Sequence, residues 1–264
     1  MTVKCSVIIS YYKNLDALEL ILSALRAQSA VGQFEVIVSE DDDSPSTVSF
    51  LHGFSSGSPY EIKHVSQEDK NFRKCMALNQ SLKIAEGELI VFLDGDCIPH
   101  RRLVGQYLKN MAPKMVLVGR RVDLSKRLSE KILRSKKLKT LTLMQCIICG
   151  CRRVEDGVYL PWVSFKINND IGIVGCNWAI RKQDIYDVNG FDESFMPPLT
   201  CGGGEDADVD WRLKKNGCQF RLMKFRSIVY HLYHTRRPIN GEPLLAKRIR
   251  EGRHFCKNGI VKCD

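Results

Sequence analysis

The chain has 264 residues and a formal net charge of +10, with 44% apolar and 27% charged residues. This length suits one large α/β domain, and the composition is that of a globular protein rather than a disordered or fibrous one. No apolar run approaches the roughly 18 residues of a membrane span. The first ten residues are typical of a core strand rather than a signal peptide. The eleven cysteines are scattered, so we expect reduced thiols and a cytoplasmic protein.

The first half of the chain alternates between two hydrophobic patterns. Two amphipathic helical segments, Asn14–Gln28 and Asn71–Gly87, separate apolar runs that are rich in β-formers. Those runs predict buried strands at Cys5–Ser10, Phe34–Ser39, Tyr60–Val65 and Glu88–Leu93. Strands that alternate with helices predict an α/β fold with a mainly parallel sheet and right-handed crossovers.

Polar residues follow three of these strands directly. They are Ser10-Tyr11-Tyr12, the acidic run Glu40–Asp43, and Asp94-Gly95-Asp96. Ligands of open α/β sheets bind beyond the carboxyl ends of the strands. The sequence therefore predicts one crevice into which three strand ends point.

Asp94 and Asp96 would point the same way on an extended segment. Two unpartnered carboxylates repel, and a divalent cation would convert that repulsion into binding. Oxygen ligands suit Mg²⁺ or Mn²⁺, and an imidazole from His231 or His234 favours Mn²⁺. The alternative is structural, because Asp-Gly is a common turn dipeptide.

The middle of the chain is basic. Ser125–Lys139 predicts a lysine-rich helix with an apolar stripe, which is either a solvated helix face or a contact with an anionic membrane surface. The nearby cysteines Cys146, Cys149 and Cys151 suggest zinc only weakly, because no second Cys or His pair lies close in sequence.

The last third is less regular. Val174–Phe195 predicts a strand, a short helix and a turn at Asn189-Gly190. A Gly- and Pro-rich passage, 196–204, precedes the predicted helix Glu205–Gly217, and the chain then continues with a strand and a polar, mobile loop.

Taken together, the segments that contain Ser10, Asp41 and Asp94-Gly95-Asp96 resemble the first half of a family 2 glycosyltransferase with the GT-A fold. The segments 175–195 and 202–217 resemble a galactosyltransferase-type C-terminal region. The resemblance covers Val3 to Pro243. It implies a single GT-A domain with a nucleotide-sugar half (1–123), a variable acceptor-side segment (124–173) and a catalytic half (174–264).

The resemblance also implies how a UDP-sugar is held. Ser10, Tyr12 and Asp41 would contact uracil, with Asp42 as the alternative to Asp41 because the acidic run is long. The remaining donor contacts would be Arg73, Asp94, Trp178 as a stacking face, and Arg236 and Arg237 on the diphosphate. Asp96, His231 and His234 would hold the metal.

Asp206 in Gly204-Glu205-Asp206 falls where inverting members keep their catalytic base, and Glu205 would hydrogen-bond sugar hydroxyls. The resemblance thus implies inverting, metal-dependent transfer of a hexose or N-acetylhexosamine in surface polysaccharide or lipopolysaccharide synthesis. The acceptor would be a glycan or lipid-linked saccharide at the cytoplasmic membrane face. Gly202 stands where the pattern often has an aromatic residue, which affects the acceptor pocket.

Other classes fit the residues less well. A nucleotidyltransferase would show a glycine-rich basic loop after the first strand, and a dinucleotide-binding dehydrogenase would show G-x-G-x-x-G there. A nucleic-acid-binding protein would interleave basic and aromatic residues on one face, whereas this crevice is acidic. A non-catalytic nucleotide-sugar-binding relative is disfavoured by Asp96, Asp206 and His234.

Overall fold

The computed structural model describes residues 3–196, 204–235 and 242–263. Within them the strands form a seven-stranded and a three-stranded sheet. The strands are β1 (Cys5–Tyr11), β2 (Phe34–Glu40), β3 (Ile62–Val65), β4 (Leu89–Asp94), β5 (Cys97–Pro99), β6 (Met115–Val118), β7 (Arg120–Asp123), β8 (Asn177–Arg181), β9 (Gln219–Leu222) and β10 (Ile228–His231). The helices are α1 (Leu15–Arg26), α2 (Pro45–Ser55), α3 (Lys74–Ile84), α4 (Leu103–Asn110), α5 (Lys126–Ser135), α6 (Leu143–Ile148), α7 (Lys182–Tyr186), α8 (Glu205–Lys215) and α9 (Glu242–Glu251).

The large sheet has the strand order β3-β2-β1-β4-β8-β6-β9. Six of its strands are parallel, and β8 runs antiparallel between β4 and β6. The predicted α/β class with a mixed, mainly parallel sheet is confirmed. Because β8 and β9 come from the last third of the chain, both ends of the sequence build one sheet. The boundaries at 123 and 173 stay a prediction.

The central strands are buried on both faces, as their apolar runs predict. Every residue of β2 is buried, as are the first five of β4. Separate apolar clusters cover the two faces of the sheet. Helix α1 begins as expected, because the side chain of Asn14 accepts a hydrogen bond from the Ala17 N–H at 3.1 Å.

The small sheet lies beyond the end of β4 and has the order β5-β10-β7. Asp96 immediately precedes β5, and His231 ends β10 opposite Asp123 of β7. Asn177 joins the two sheets: it begins β8, and its amide donates to the carbonyls of Arg120 (2.9 Å) and Ser227 (3.0 Å). This second sheet therefore brings chemistry-bearing residues from distant parts of the chain to the crevice.

Helix α2 was not predicted from the sequence. Its buried residues are only Thr47 and Leu51, so it lacks a regular apolar stripe of the kind that α1 has. Among the described residues, no helix is both long and apolar enough to cross a bilayer.

Candidate active site

The glycine between Asp94 and Asp96 has a packing role. The N–H of Gly95 donates to the Ser10 carbonyl at 2.7 Å, and a Cβ at this position would lie 2.7 Å from the same oxygen. The chain therefore crosses the end of β1 at a distance that only glycine permits without displacement. The side chains of Asp94 and Asp96, on either side of Gly95, contact different residues. The prediction that both carboxylates face one ligand is therefore wrong.

Asp96 meets the two histidines. Its Oδ2 lies 3.3 Å from His234 Nε2 and 3.6 Å from His231 Nε2, and the two Nε2 atoms are 3.3 Å apart. Neighbouring ligands around an octahedral ion with bonds of 2.1 Å lie about 3.0 Å apart. Two imidazoles and one carboxylate at this spacing fit a small divalent cation, and Mn²⁺ accepts this mixture of nitrogen and oxygen. The residues predicted as metal ligands are thus brought together.

The electrostatics of the histidines suit ligation. Burial lowers the pKa of His231 below its ordinary value, with Arg121 and His234 acting in the same direction against Asp96. The imidazole is therefore neutral at pH 7, the form that binds a metal. His234 is half exposed and lines the crevice.

The side chain of Asp94 points away from the two histidines, toward helices α3 and α8. The Nζ of Lys74 lies 3.0 Å from Asp94 Oδ1 and 3.6 Å from Glu205 Oε1. Burial alone would lower the pKa of Lys74, but the carboxylates of Asp94, Asp206 and Glu205 raise it well above its ordinary value. A permanent cation thus sits among three carboxyl groups.

Asp206 occupies the first turn of α8, after Gly204, whose φ of 93° favours glycine. Burial raises the pKa of Asp206 to about 7; Lys74 opposes the rise, and Glu205 and Asp94 add to it. The backbone of Gly175 packs directly on the carboxyl, because a Cβ there would lie 1.9 Å from Asp206 Oδ2. A carboxyl group with a pKa near neutrality can accept a proton at physiological pH.

Glu205 is buried beside Asp206. Its Oε1 faces Lys74, whereas its Oε2 is buried and has no hydrogen-bond partner among the described residues. A buried acceptor without a partner costs free energy. A ligand hydroxyl at this position would remove that cost.

The predicted crevice exists as a cleft of about 650 Å³, a size typical of small-molecule sites. Its walls include the ends of β1, β2 and β4 and the residues before α3. The lining residues are Ser10, Tyr11, Tyr12, Asn14, Asp41, Asn71, Phe72, Lys74, Asp94, Gly95, Asp96, His234 and Thr235. The three strand ends therefore meet beside Asp96 and His234. With His231, these two predicted metal ligands form what we call the metal-ligand set.

Asp41 and Tyr12 line this cleft, and Asp42 does not. The Asp41 carboxylate accepts from Gln67 Nε2 (2.6 Å) and from the Arg73 N–H (2.7 Å). Burial raises the pKa of Asp41, and these two hydrogen bonds act in the opposite direction. Tyr12 is exposed, and its hydroxyl lies 3.3 Å from Asp69 Oδ2.

Three expected contacts are arranged differently or are not described. Trp178 is 1% exposed and stacks on Phe92 with ring centroids 4.4 Å apart, so it packs in the core and offers no face to a sugar. The guanidinium of Arg73 turns away to the Glu68 carbonyl, and only its backbone reaches Asp41. Arg236 and Arg237 lie outside the described residues, as does Gly202.

Sequence reasoning missed Lys74 and chose its neighbour Arg73. A signal existed, because Lys74 lies three and four residues before Ala77 and Leu78, which face the core. Residues at this spacing share a helix face, so the inward-facing basic residue is Lys74. The cysteines Cys146, Cys149 and Cys151 form no metal cluster with other ligand-type residues in the described part of the chain.

The mainly parallel sheet thus carries, at its strand ends, a cleft, three candidate metal ligands and a carboxyl group of raised pKa. The family model described as "Glycosyl transferase family 2" matches residues 6–158, and one described as "N-terminal domain of galactosyltransferase" matches 164–235. The chain belongs to glycosyl transferase family 2, and the two resemblances inferred from the sequence are confirmed.

One curated relative is the chondroitin synthase of Escherichia coli, 28% identical over 245 residues. The match covers 86% of this chain but only 34% of that relative, so this chain spans about a third of its length.

Two solved structures confirm the GT-A fold. TarS 1-349 of S. aureus, in complex with UDP, has a TM-score of 0.61 at 17% identity, covering 86% of this chain and 60% of that one. The mannosyltransferase PcManGT of Pyrobaculum calidifontis, in complex with GDP-Man and Mn²⁺, has a TM-score of 0.60 at 16% identity, covering 89% and 59%.

Proposed function

We propose that the protein is an inverting, divalent-metal-dependent transferase that moves a hexose or N-acetylhexosamine from a UDP-sugar to a hydroxyl of a glycan or lipid-linked saccharide. The reaction would serve surface polysaccharide or lipopolysaccharide synthesis. The observation that supports it most is that Asp94 and Lys74 belong both to the wall of the cleft and to the cluster that contains Asp206. A donor in the cleft would therefore lie between a metal-ligand set and a carboxyl group able to act as a base.

The donor nucleotide would occupy the strand-end part of the cleft. Asp41 would accept from uracil, Tyr12 would lie against the base, and Ser10 and Asp94 would contact the nucleoside. The UDP bound to TarS supports this choice, whereas the GDP-Man bound to PcManGT makes GDP the necessary control.

Asp96, His231 and His234 would hold Mn²⁺ or Mg²⁺ beside the diphosphate. When bound, such an ion stabilises negative charge on the leaving UDP. Arg236 and Arg237 follow His234 closely in the sequence, and we propose that they add positive charge on the same side.

Asp206 would act as the base. The acceptor oxygen forms a bond to the anomeric carbon while the bond from that carbon to the diphosphate breaks, and the acceptor proton passes to the Asp206 carboxylate. Attack opposite to the leaving group inverts the configuration. Glu205 would accept a hydrogen bond from a sugar hydroxyl through its unpartnered Oε2.

We place the reaction in the cytoplasm. All ten cysteines among the described residues are free thiols, as expected of a reducing compartment.

Calorimetric titration with UDP, with GDP as the control and in Mn²⁺ or excess chelator, tests the donor site. We expect metal-dependent binding of UDP in preference to GDP.

A screen of UDP-sugars with saccharide acceptors, read by NMR of the product anomeric proton, then tests inversion. Binding of UDP-sugar without any transfer or donor hydrolysis would favour the non-catalytic alternative, and release of pyrophosphate from a sugar phosphate and UTP would favour a nucleotidyltransferase.

A further inference from the structure

Helix α6 has its apolar residues on the outside. Leu143, Met144, Ile147 and Ile148 are 38%, 63%, 55% and 64% exposed, whereas Cys146 is fully buried. At 100° per residue the four exposed residues share one continuous face of the helix. A short helix on a globular protein ordinarily buries such a face, so this one is suited to contact something else.

The helix belongs to a segment that begins and ends beside the small sheet. Asp123 and Arg152 exchange backbone hydrogen bonds of 3.0 and 2.9 Å, and the Ser125 N–H donates to Cys151 Sγ at 3.4 Å. These contacts close residues 124–151 at their base. We call residues 124–153 the basic insertion. Its base lies beside the metal-ligand set, because Asp123 pairs with His231.

The basic insertion has nine Lys and Arg residues and one acidic residue, a net charge of +8 against +10 for the whole chain. Lys136 is neutralised by Asp16 and Glu19, and Arg153 lies 3.8 Å from Asp123. The other seven form no ion pair with any residue that the structure describes; they are Lys126, Arg127, Lys131, Arg134, Lys137, Lys139 and Arg152.

We infer that the basic insertion docks the protein on the surface of an anionic lipid bilayer. The apolar face of α6 enters the boundary between headgroups and acyl chains, and the unpaired cations contact the headgroups. The combination of charge and apolar surface in one segment selects this occupant: an apolar protein partner would leave the seven cations uncompensated, whereas an anionic bilayer offers acyl chains to the apolar face and anionic headgroups to the cations. The inference stands independently of the proposed sugar transfer.

The sequence predicted that the apolar stripe of the helix within Ser125–Lys139 would contact the membrane, and the structure does not support that part of the prediction. Leu128 and Ile132 of α5 are fully buried in the core, so the stripe of that helix is not available. Helix α5 contributes charge, and α6 contributes the apolar surface.

Flotation with vesicles of mixed phosphatidylglycerol and phosphatidylcholine, compared with pure phosphatidylcholine, tests the inference. We expect the wild-type protein to partition to the anionic vesicles and to be released by salt. Ile147→Ser with Ile148→Ser removes apolar surface and should lower the partition coefficient about tenfold. Lys137→Gln, Lys139→Gln and Arg152→Gln together should lower it on the order of a hundredfold.

Matched controls change exposed residues of the same types, or close to them, elsewhere on the protein. Val48→Ser with Ile84→Ser is the apolar control, and Lys215→Gln, Lys247→Gln and Arg250→Gln form the charge control. Neither should change partition. The inference is overturned if the wild-type protein ignores anionic vesicles or if the controls lose binding equally. It is also overturned if sedimentation shows a dimer that Ile147→Ser with Ile148→Ser dissociates while vesicle binding is unchanged.

Discussion

Lys74 offsets the repulsion among the carboxyl groups of Asp94, Glu205 and Asp206, and its cation favours the ionised form of Asp206. Lys74→Gln removes that cation, so the pKa of Asp206 should rise above about 7. We expect the acidic limb of the profile of kcat/KM against pH to move to higher pH. Lys70→Gln is the control, because Lys70 is exposed and its one ion pair within the described ranges is with Glu68. If the acidic limb of the pH profile of Lys74→Gln matches that of the wild-type protein, Lys74 does not set the pKa of Asp206.

Asp206 itself should control the pH dependence of transfer. A base must be ionised, and the pKa of Asp206 is about 7. Below that pH the group is increasingly protonated, so kcat/KM should fall about tenfold per pH unit as the pH decreases. Asp206→Asn should lose on the order of 10²- to 10⁴-fold in kcat with UDP binding retained. Full transfer by this variant would place the base elsewhere.

Gly175 allows a test of how precisely the Asp206 carboxyl must be positioned. A methyl group at this position would overlap the Asp206 carboxyl, with 1.9 Å between its Cβ and Oδ2. Gly175→Ala should therefore displace the base and lower kcat at least about tenfold, because small misplacements of reacting groups are costly. Gly53→Ala, where nothing lies within 4 Å, should retain activity. Thermal melting of both variants separates misplacement from loss of the fold.

Among the elements, β8 carries the side chain of Asn177, which links the large sheet to the small one by hydrogen bonds. Asn177 is fully buried at the start of β8. Its Oδ1 accepts from the Tyr107 hydroxyl (2.7 Å), and its amide donates to the carbonyl of Arg120, the first residue of β7, and to that of Ser227, just before β10. Asn177→Ala should cost about 3 kcal/mol of unfolding free energy, because several buried partners lose their hydrogen bonds. Tyr107→Phe, which removes one of these bonds, should cost about 1 kcal/mol. Urea denaturation measures both, and equal losses would contradict this role.

The same elements show what the sequence could predict. Strands β1, β2 and β4 are continuous apolar runs, and their burial on both faces makes them recognisable without tertiary information. The small sheet is different, because β5 and β7 are three and four residues long and are stabilised by pairing with the distant β10. Pairing of this kind leaves no local pattern, so the sheet that brings His231 to Asp96 was not predictable from periodicity.

The residues of the candidate site also fall into those that the sequence alone could indicate and those that only the tertiary structure identifies. Asp96 and His234 could be proposed because a metal requires particular side chains, whatever surrounds them. Trp178 could not be placed, since an indole suits both a sugar platform and a core, and only the packing of Phe92 and Phe191 around it decides. The helix spacing marks Lys74 as an inward-facing basic residue, but its contacts with Asp94 and Glu205 come from the tertiary structure and leave no signal in the sequence.

At the scale of the whole molecule, the cleft joins both sheets, so a ligand there should stabilise the fold as a unit. UDP with Mn²⁺ at about a hundred times the dissociation constant should add about 2.7 kcal/mol. For a chain of this size that raises Tm by about 5–10 °C. UDP in excess chelator should give a much smaller shift, because the metal-ligand set would then add nothing to nucleotide binding.

A substitution of His234 tests whether the metal-dependent part of this Tm shift comes from the proposed ligands. His234 would contribute one of the three proposed ligand atoms from a half-exposed position, so His234→Ala should preserve the fold and remove most of the Mn²⁺-dependent part of the Tm shift. His52→Ala changes an exposed histidine on α2, far from the ligand set in sequence, and should retain the full shift. A Mn²⁺-dependent shift of the same size in His234→Ala and in the wild-type protein would show that the ion binds elsewhere. The assignment of Asp96, His231 and His234 would then fail, even if UDP still binds in the cleft.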